Sequence, residues 1–207
     1  IRTKDKRRVL GYTLHNQDYS SEKILQLTDF EMGNTRKLVL PVTSFTFNPV
    51  YKDRIYLNAN SEEFKINIYD TQGKILKVIE KKEPRIKVPG SFRQEALDYL
   101  KRSPMFKRAY EFFKKILHIR DYFPPIRDLI ITEDFIYVLT FKRQDELWEC
   151  IKLNLDGNEK GRMFIRLGAY EPFSAYPILY SVYKEKIYSL VEDEEDEVWQ
   201  VHVRKFK

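Results

Sequence analysis

Three times in this chain an Ile-Tyr strand is followed by a period-two hairpin, and no other feature restricts the fold as strongly. Arg54-Ile55-Tyr56-Leu57 leads to Phe64-Lys65-Ile66-Asn67-Ile68-Tyr69. Phe135-Ile136-Tyr137-Val138-Leu139 leads to Leu147-Trp148-Glu149-Cys150-Ile151-Lys152-Leu153, and Lys186-Ile187-Tyr188-Ser189-Leu190 leads to Val198-Trp199-Gln200-Val201-His202-Val203. Alternation on both sides of a polar connection (58–63, 142–146 and 192–197) is a hairpin signature. In the first two copies Asp70-Thr71-Gln72-Gly73 and Asp156-Gly157-Asn158 lead into a further strand, each turn offering Gly where φ must be positive. An apolar run precedes each Ile-Tyr strand: 44–47, 127–131 and 177–182. Four strands joined as a meander make a propeller blade.

Tyr137 and Tyr188 are 51 residues apart, a blade-sized period, whereas Tyr56 and Tyr137 are 81 apart. Removing an insertion of roughly 35–40 residues restores the period. Arg8–Leu14 and Lys23–Phe30 form a partial copy near the start. The expected organisation is all-β: a partial blade over 1–40, a blade over 41–84, a helical insertion over 85–125, and blades over 126–168 and 169–207.

The segment Arg54–Lys74 resembles a blade of the six-bladed β-propeller group that includes NHL-repeat and TolB-like proteins. In that group a "riyvan" strand is followed by a "y.i.vyd..Gk" hairpin. The resemblance covers 41–80 well and 127–203 less closely, and bacterial members also carry a helical insertion between blades. It implies a non-catalytic binding or interaction scaffold, exported, periplasmic or lipid-anchored in bacteria. The alternative it leaves open is a propeller hydrolase of the lactonase, esterase or glycan type, with catalytic residues partly in other blades. Two departures stand out: Gly is scarce, and the last unit lacks an Asp-Gly turn, so its closing strand is absent or supplied elsewhere. A six-bladed ring needs about 250 residues. The 207 present therefore read as the C-terminal part of one, with a remaining propeller half or a homodimer mate as partner.

Within the insertion, Arg93 to Lys101 reads as a short helix and Ser103-Pro104 as the start of a second, with Ser as N-cap and Pro at the first helical position. Phe106, Ala109, Tyr110, Phe113, Ile116 and Leu117 fall on one stripe, opposite Lys107, Arg108, Lys114 and Lys115. The stripe predicts a cap packed on the propeller. Its competitor is membrane contact through a basic amphipathic helix over 104–120.

Charge is sorted along the chain: net +6 over 1–90, +5 over 91–120 and −5 over 121–207. An acidic last third argues against a continuous nucleic-acid surface. Cys150 is the sole cysteine, which excludes an internal disulfide, and His15, His118 and His202 share no metal-ligand spacing. No phosphate-binding Gly loop or nucleophile elbow is present, so neither catalytic residues nor a cofactor or metal are assigned. The acidic run Glu192–Glu197 lacks the central Gly and alternation of a calcium loop and reads as a solvated hairpin tip. A protein or small-molecule ligand would meet the loop face of a propeller. The candidate residues there are Asn58, Asn60 and Glu63 on the first connecting loop, and Arg143 and Asp145 on the second.

Overall fold

The computed structural model describes residues 2–4, 7–15, 18–20, 22–29, 38–40, 50–58, 62–104, 106–167, 179–193 and 198–205. Among these, four antiparallel meander sheets follow one another in chain order. The first holds β1 (Arg2–Lys4), β2 (Arg7–His15) and β3 (Glu22–Asp29). β4 (Leu38–Leu40) stands apart. The second sheet holds β5 (Val50–Tyr51), β6 (Arg54–Asn58), β7 (Phe64–Asp70) and β8 (Ile75–Lys81). Two helices follow, α1 (Phe92–Arg102) and α2 (Tyr110–Ile116), then β9 (Leu117–Ile119). The third sheet holds β10 (Asp128–Ile131), β11 (Phe135–Gln144), β12 (Leu147–Asn154) and β13 (Glu159–Arg166). The fourth holds β14 (Tyr180–Tyr183), β15 (Lys186–Asp193) and β16 (Val198–Lys205). The chain is thus mostly β, built of antiparallel meanders.

Turn chemistry explains the meanders. Asp70 Oδ1 accepts the backbone N–H groups of Gln72 at 2.9 Å and Lys74 at 2.8 Å, while Gly73 takes a φ of 71°. Asn154 and Gly157 repeat the device: Asn154 Oδ1 accepts the Asn158 N–H at 2.8 Å and Gly157 has a φ of 90°. The short connections Lys52-Asp53 and Lys184-Glu185 place both residues at positive φ, the conformation that a two-residue hairpin requires. The strand preceding the first Ile-Tyr segment is Val50–Tyr51, and the expected run 44–47 lies outside the described residues.

The third sheet is covered on both faces, which is why β11 and β12 read as near-continuous apolar runs. Ile136, Val138, Ile151 and Leu153 pack with Tyr56, Phe64, Ile66, Ile68 and Ile79 of the second sheet. The intervening residues Tyr137, Leu139, Trp148 and Cys150 join a separate cluster with Ile187, Tyr180 and Val182 of the fourth. Strand alternation sends successive side chains to opposite faces, so one strand serves two cores. Contact between sheets is close: a Cβ on Gly157 would lie 2.8 Å from Ile79 Cγ2.

The insertion leaves and re-enters at one point. Lys87 bridges Tyr122 antiparallel, and Phe123 donates its N–H to the Ile86 carbonyl at 2.8 Å. Its core is Phe92 and Ala96 of α1 packed with Val88, Leu40 and Leu117; Leu100, a third buried residue of α1, completes the i, i+4, i+8 stripe. β4, inside the stretch read as a partial blade, pairs in parallel with β9 and so belongs structurally with the insertion. The expected long second helix is corrected here. Ser103 does open a turn, its carbonyl accepting the Phe106 and Lys107 N–H groups, but a 3₁₀ turn at Lys107–Ala109 interrupts it. Ala109, at φ −113° and ψ 21°, is non-helical, so α2 begins only at Tyr110. Leu117 is drawn into β9, Ala109 is exposed, and the rest of the stripe is only half-buried. The burying helix is α1.

Candidate functional site

The β6–β7 and β11–β12 loops open at the same end of the stack as the C-terminal end of β8. Two cavities lie there. One, of about 550 Å³, is lined by Asp145, Glu146, Leu147, Arg166, His202, Val203 and Arg204. The other, of about 560 Å³, has an apolar floor of Phe64, Ile86, Phe123 and prolines 84 and 125 beneath Glu62, Glu63, Glu80, Lys82 and Arg85.

The sequence-derived candidates are divided between these places. Glu63 is exposed and lines the second cavity, and Asp145, at a φ of 54°, lines the first. Asn58 is 9% exposed at the end of β6, opposite Ile66, and is a buried side chain rather than a loop contact. Arg143 lies in β11, paired with Trp148, rather than on the loop, and is exposed with its guanidinium 4.8 Å from the Trp148 ring centroid. Asn60 lies outside the described residues. The five therefore do not converge on one site.

Between the second and third sheets lies a charge cluster that the repeat pattern hides. A register shift between Leu139 and Arg143 lets both Thr140 and Lys142 face Glu149. Glu149, only 3% exposed at its side chain, accepts from Thr140 Oγ1 at 3.0 Å and Lys142 Nζ at 2.8 Å. Arg162 approaches it at 3.4 Å and forks onto two further carboxylates. Its Nε and Nη2 donate to Glu159 at 2.6 and 2.8 Å; its Nη2 and Nη1 donate to Glu83 at 2.7 and 3.1 Å. Lys81 also contacts Glu159 and Glu83. Arg162, aided by Lys81, pulls the Glu159 carboxyl down to about 2, and its two carboxylates hold Arg162 firmly protonated. Three carboxylates face three cations, so the cluster fastens β8 and its exit to β12 and β13. The sequence signal is Glu149, a carboxylate set between Trp148 and Cys150 in β12.

Between the third and fourth sheets sits a second group of buried polar residues. Arg127 is 4% exposed, with its guanidinium 3.9 Å from the Trp148 centroid. Burial pushes the Asp128 carboxyl up to about 6, against the Leu129 N–H it accepts and the Tyr180 hydroxyl beside it. Cys150 is fully buried, and burial and Glu149 push its thiol up to about 12, which suppresses the thiolate. Asp128 and Cys150 line neither cavity. Among the described residues, no three His, Cys, Asp or Glu side chains gather as a metal site, and no helix is long and apolar enough to cross a membrane.

Comparison with family models, with curated proteins and with solved structures finds no match to this chain.

Proposed function

We propose that this chain is a run of β-propeller blades acting as a non-catalytic binding scaffold, with its ligand taken at the loop end of the stack. The observation that carries the reading is the repeated orientation of one residue. Tyr56 of the second sheet points into the core shared with the third, and Tyr137, at the same place in the next repeat, points into the core shared with the fourth. Sheets stacked in chain order, each turning the same position to its successor, are what a propeller requires. The NHL and TolB-like resemblance carries the same implication.

The second cavity is the ligand site of this reading. Its phenylalanine and proline floor under alternating Glu, Lys and Arg side chains suits an extended peptide segment, apolar side chains inward and charges at the rim. Selection of peptides from a random display library on the whole chain tests this. Peptides that bind wild type and lose at least tenfold affinity to a Glu63→Arg/Arg85→Glu variant are the expected result. Failure to select any peptide, or affinity unchanged by the reversal, overturns it. Ester or lactone hydrolysis by the wild-type chain would favour the hydrolase alternative instead.

A further inference from the structure

We propose that the outer face of the fourth sheet is a self-association surface, pairing with the same face of a second copy of this chain. The side chains facing the fourth sheet from the third have counterparts in the fourth. Tyr137, Trp148 and Cys150 are at most 4% exposed; Trp199 and Val201, which align with Trp148 and Cys150 in the repeat, are 55% and 64% exposed. Strand register places these on one face: Leu190 pairs with Val201 and Tyr188 with Val203, while β14 adds Tyr183 opposite Lys186. The opposite face, with Tyr180, Val182 and Ile187, is spent on the third sheet.

The outer face is therefore core-type surface left open. Trp199, Val201, Val203, Tyr183 and Leu179 together expose on the order of 500 Å², the size that marks an interaction patch. Burying two such faces removes on the order of 1,000 Å², the low end for a specific interface, so the dimer is weak and concentration-dependent.

Charge selects the occupant and its direction. Lys186 pairs with Lys205 at the open end of the β15–β16 hairpin, and Glu192 and Asp193 pair with Trp199 and Val198 at the other end. A hairpin with opposite charges at its two ends complements its own copy turned end for end. The antiparallel two-fold sets each basic end on an acidic one, and the parallel arrangement sets like on like. The inference stands whether or not the loop-end cavity takes a peptide.

Sedimentation velocity of the full chain from about 1 to 200 μM, at low and high salt, tests it. The expected result is a reversible dimer whose Kd rises several-fold at high salt. Trp199→Glu, and separately Lys186→Glu/Lys205→Glu, should each raise Kd at least tenfold. All three positions are exposed, so far-UV circular dichroism and the melting midpoint should stay at wild-type values. A monomer throughout the range, or a dimer indifferent to both variants, overturns the proposal. A dimer sensitive to Trp199→Glu but indifferent to salt and to the lysine reversal overturns the two-fold.

Discussion

Asp128 is the residue at which local chemistry is most at odds with burial. Its raised carboxyl keeps a proton in the folded chain between about pH 4 and 6, a proton that the unfolded chain has already released. The folded state then binds more protons than the unfolded one, so stability falls as pH rises through that window. Asn at this position keeps the acceptor for the Leu129 N–H and removes the charge. Asp128→Asn is therefore expected to stabilise the chain by about 2 kcal/mol at pH 7.5 and by almost nothing at pH 4. Melting midpoints at the two pH values check this, and equal shifts at both would contradict it. Glu159 has the opposite sign. Its carboxyl is depressed by Arg162, so its contribution is present at neutral pH and fades as pH falls from 4.5 towards 2. Neither shift was legible in sequence, because Asp128 owes its state to burial, and Glu159 to an Arg162 side chain that also reaches Glu83 and to Lys81 on β8.

At the scale of elements, what could be read depended on whether one local pattern settled the outcome. The hairpins were legible because alternation and turn residues agree: Asp70 with Gly73, and Gly157 within Asp156-Gly157-Asn158. Strand β16 starts at Val198, but β15 runs on through Glu192 and Asp193, so two residues of the expected 192–197 connection are strand and the rest lie outside the described residues. The second helix was misjudged because its stripe continues through Leu117, which hydrogen-bonds in β9 instead. Parallel pairing with β4, nearly 80 positions away in sequence, is a tertiary competitor that a helical periodicity cannot register. The candidate site was legible only as a face, since which loops border a common cavity depends on how the sheets stack. The helices make opposite predictions. Phe92→Ala in α1 removes a side chain 1% exposed and should cost about 3–4 kcal/mol, whereas Phe113→Ala in α2, half-buried, should cost about 1 kcal/mol. Urea unfolding of both variants decides whether α1 anchors the insertion; equal losses would show that the two helices share the load.

For the molecule as a whole, the third sheet determines whether the chain melts as one body. Its β11 strand puts Ile136 and Leu139 into different clusters, although they are three residues apart. Neither cluster can be lost without stripping one face of that strand. Phe123, stacked on Phe141 at 4.7 Å, ties the insertion to the same sheet. Two cores that share a backbone unfold together when loosening either one exposes the other. Ile136→Ala, on the second-sheet side, is accordingly expected to lower the melting midpoint by about 10 °C, from a loss of about 3 kcal/mol. The decisive probe is Trp148, which lies on the opposite face, in the cluster shared with the fourth sheet. With Trp199, the second tryptophan, replaced by Phe in both chains, its fluorescence should report the same downward shift as far-UV circular dichroism in the Ile136→Ala chain. If the Trp148 transition keeps its wild-type midpoint while the circular dichroism shifts, the two interfaces are separate folding units and the third sheet does not couple them.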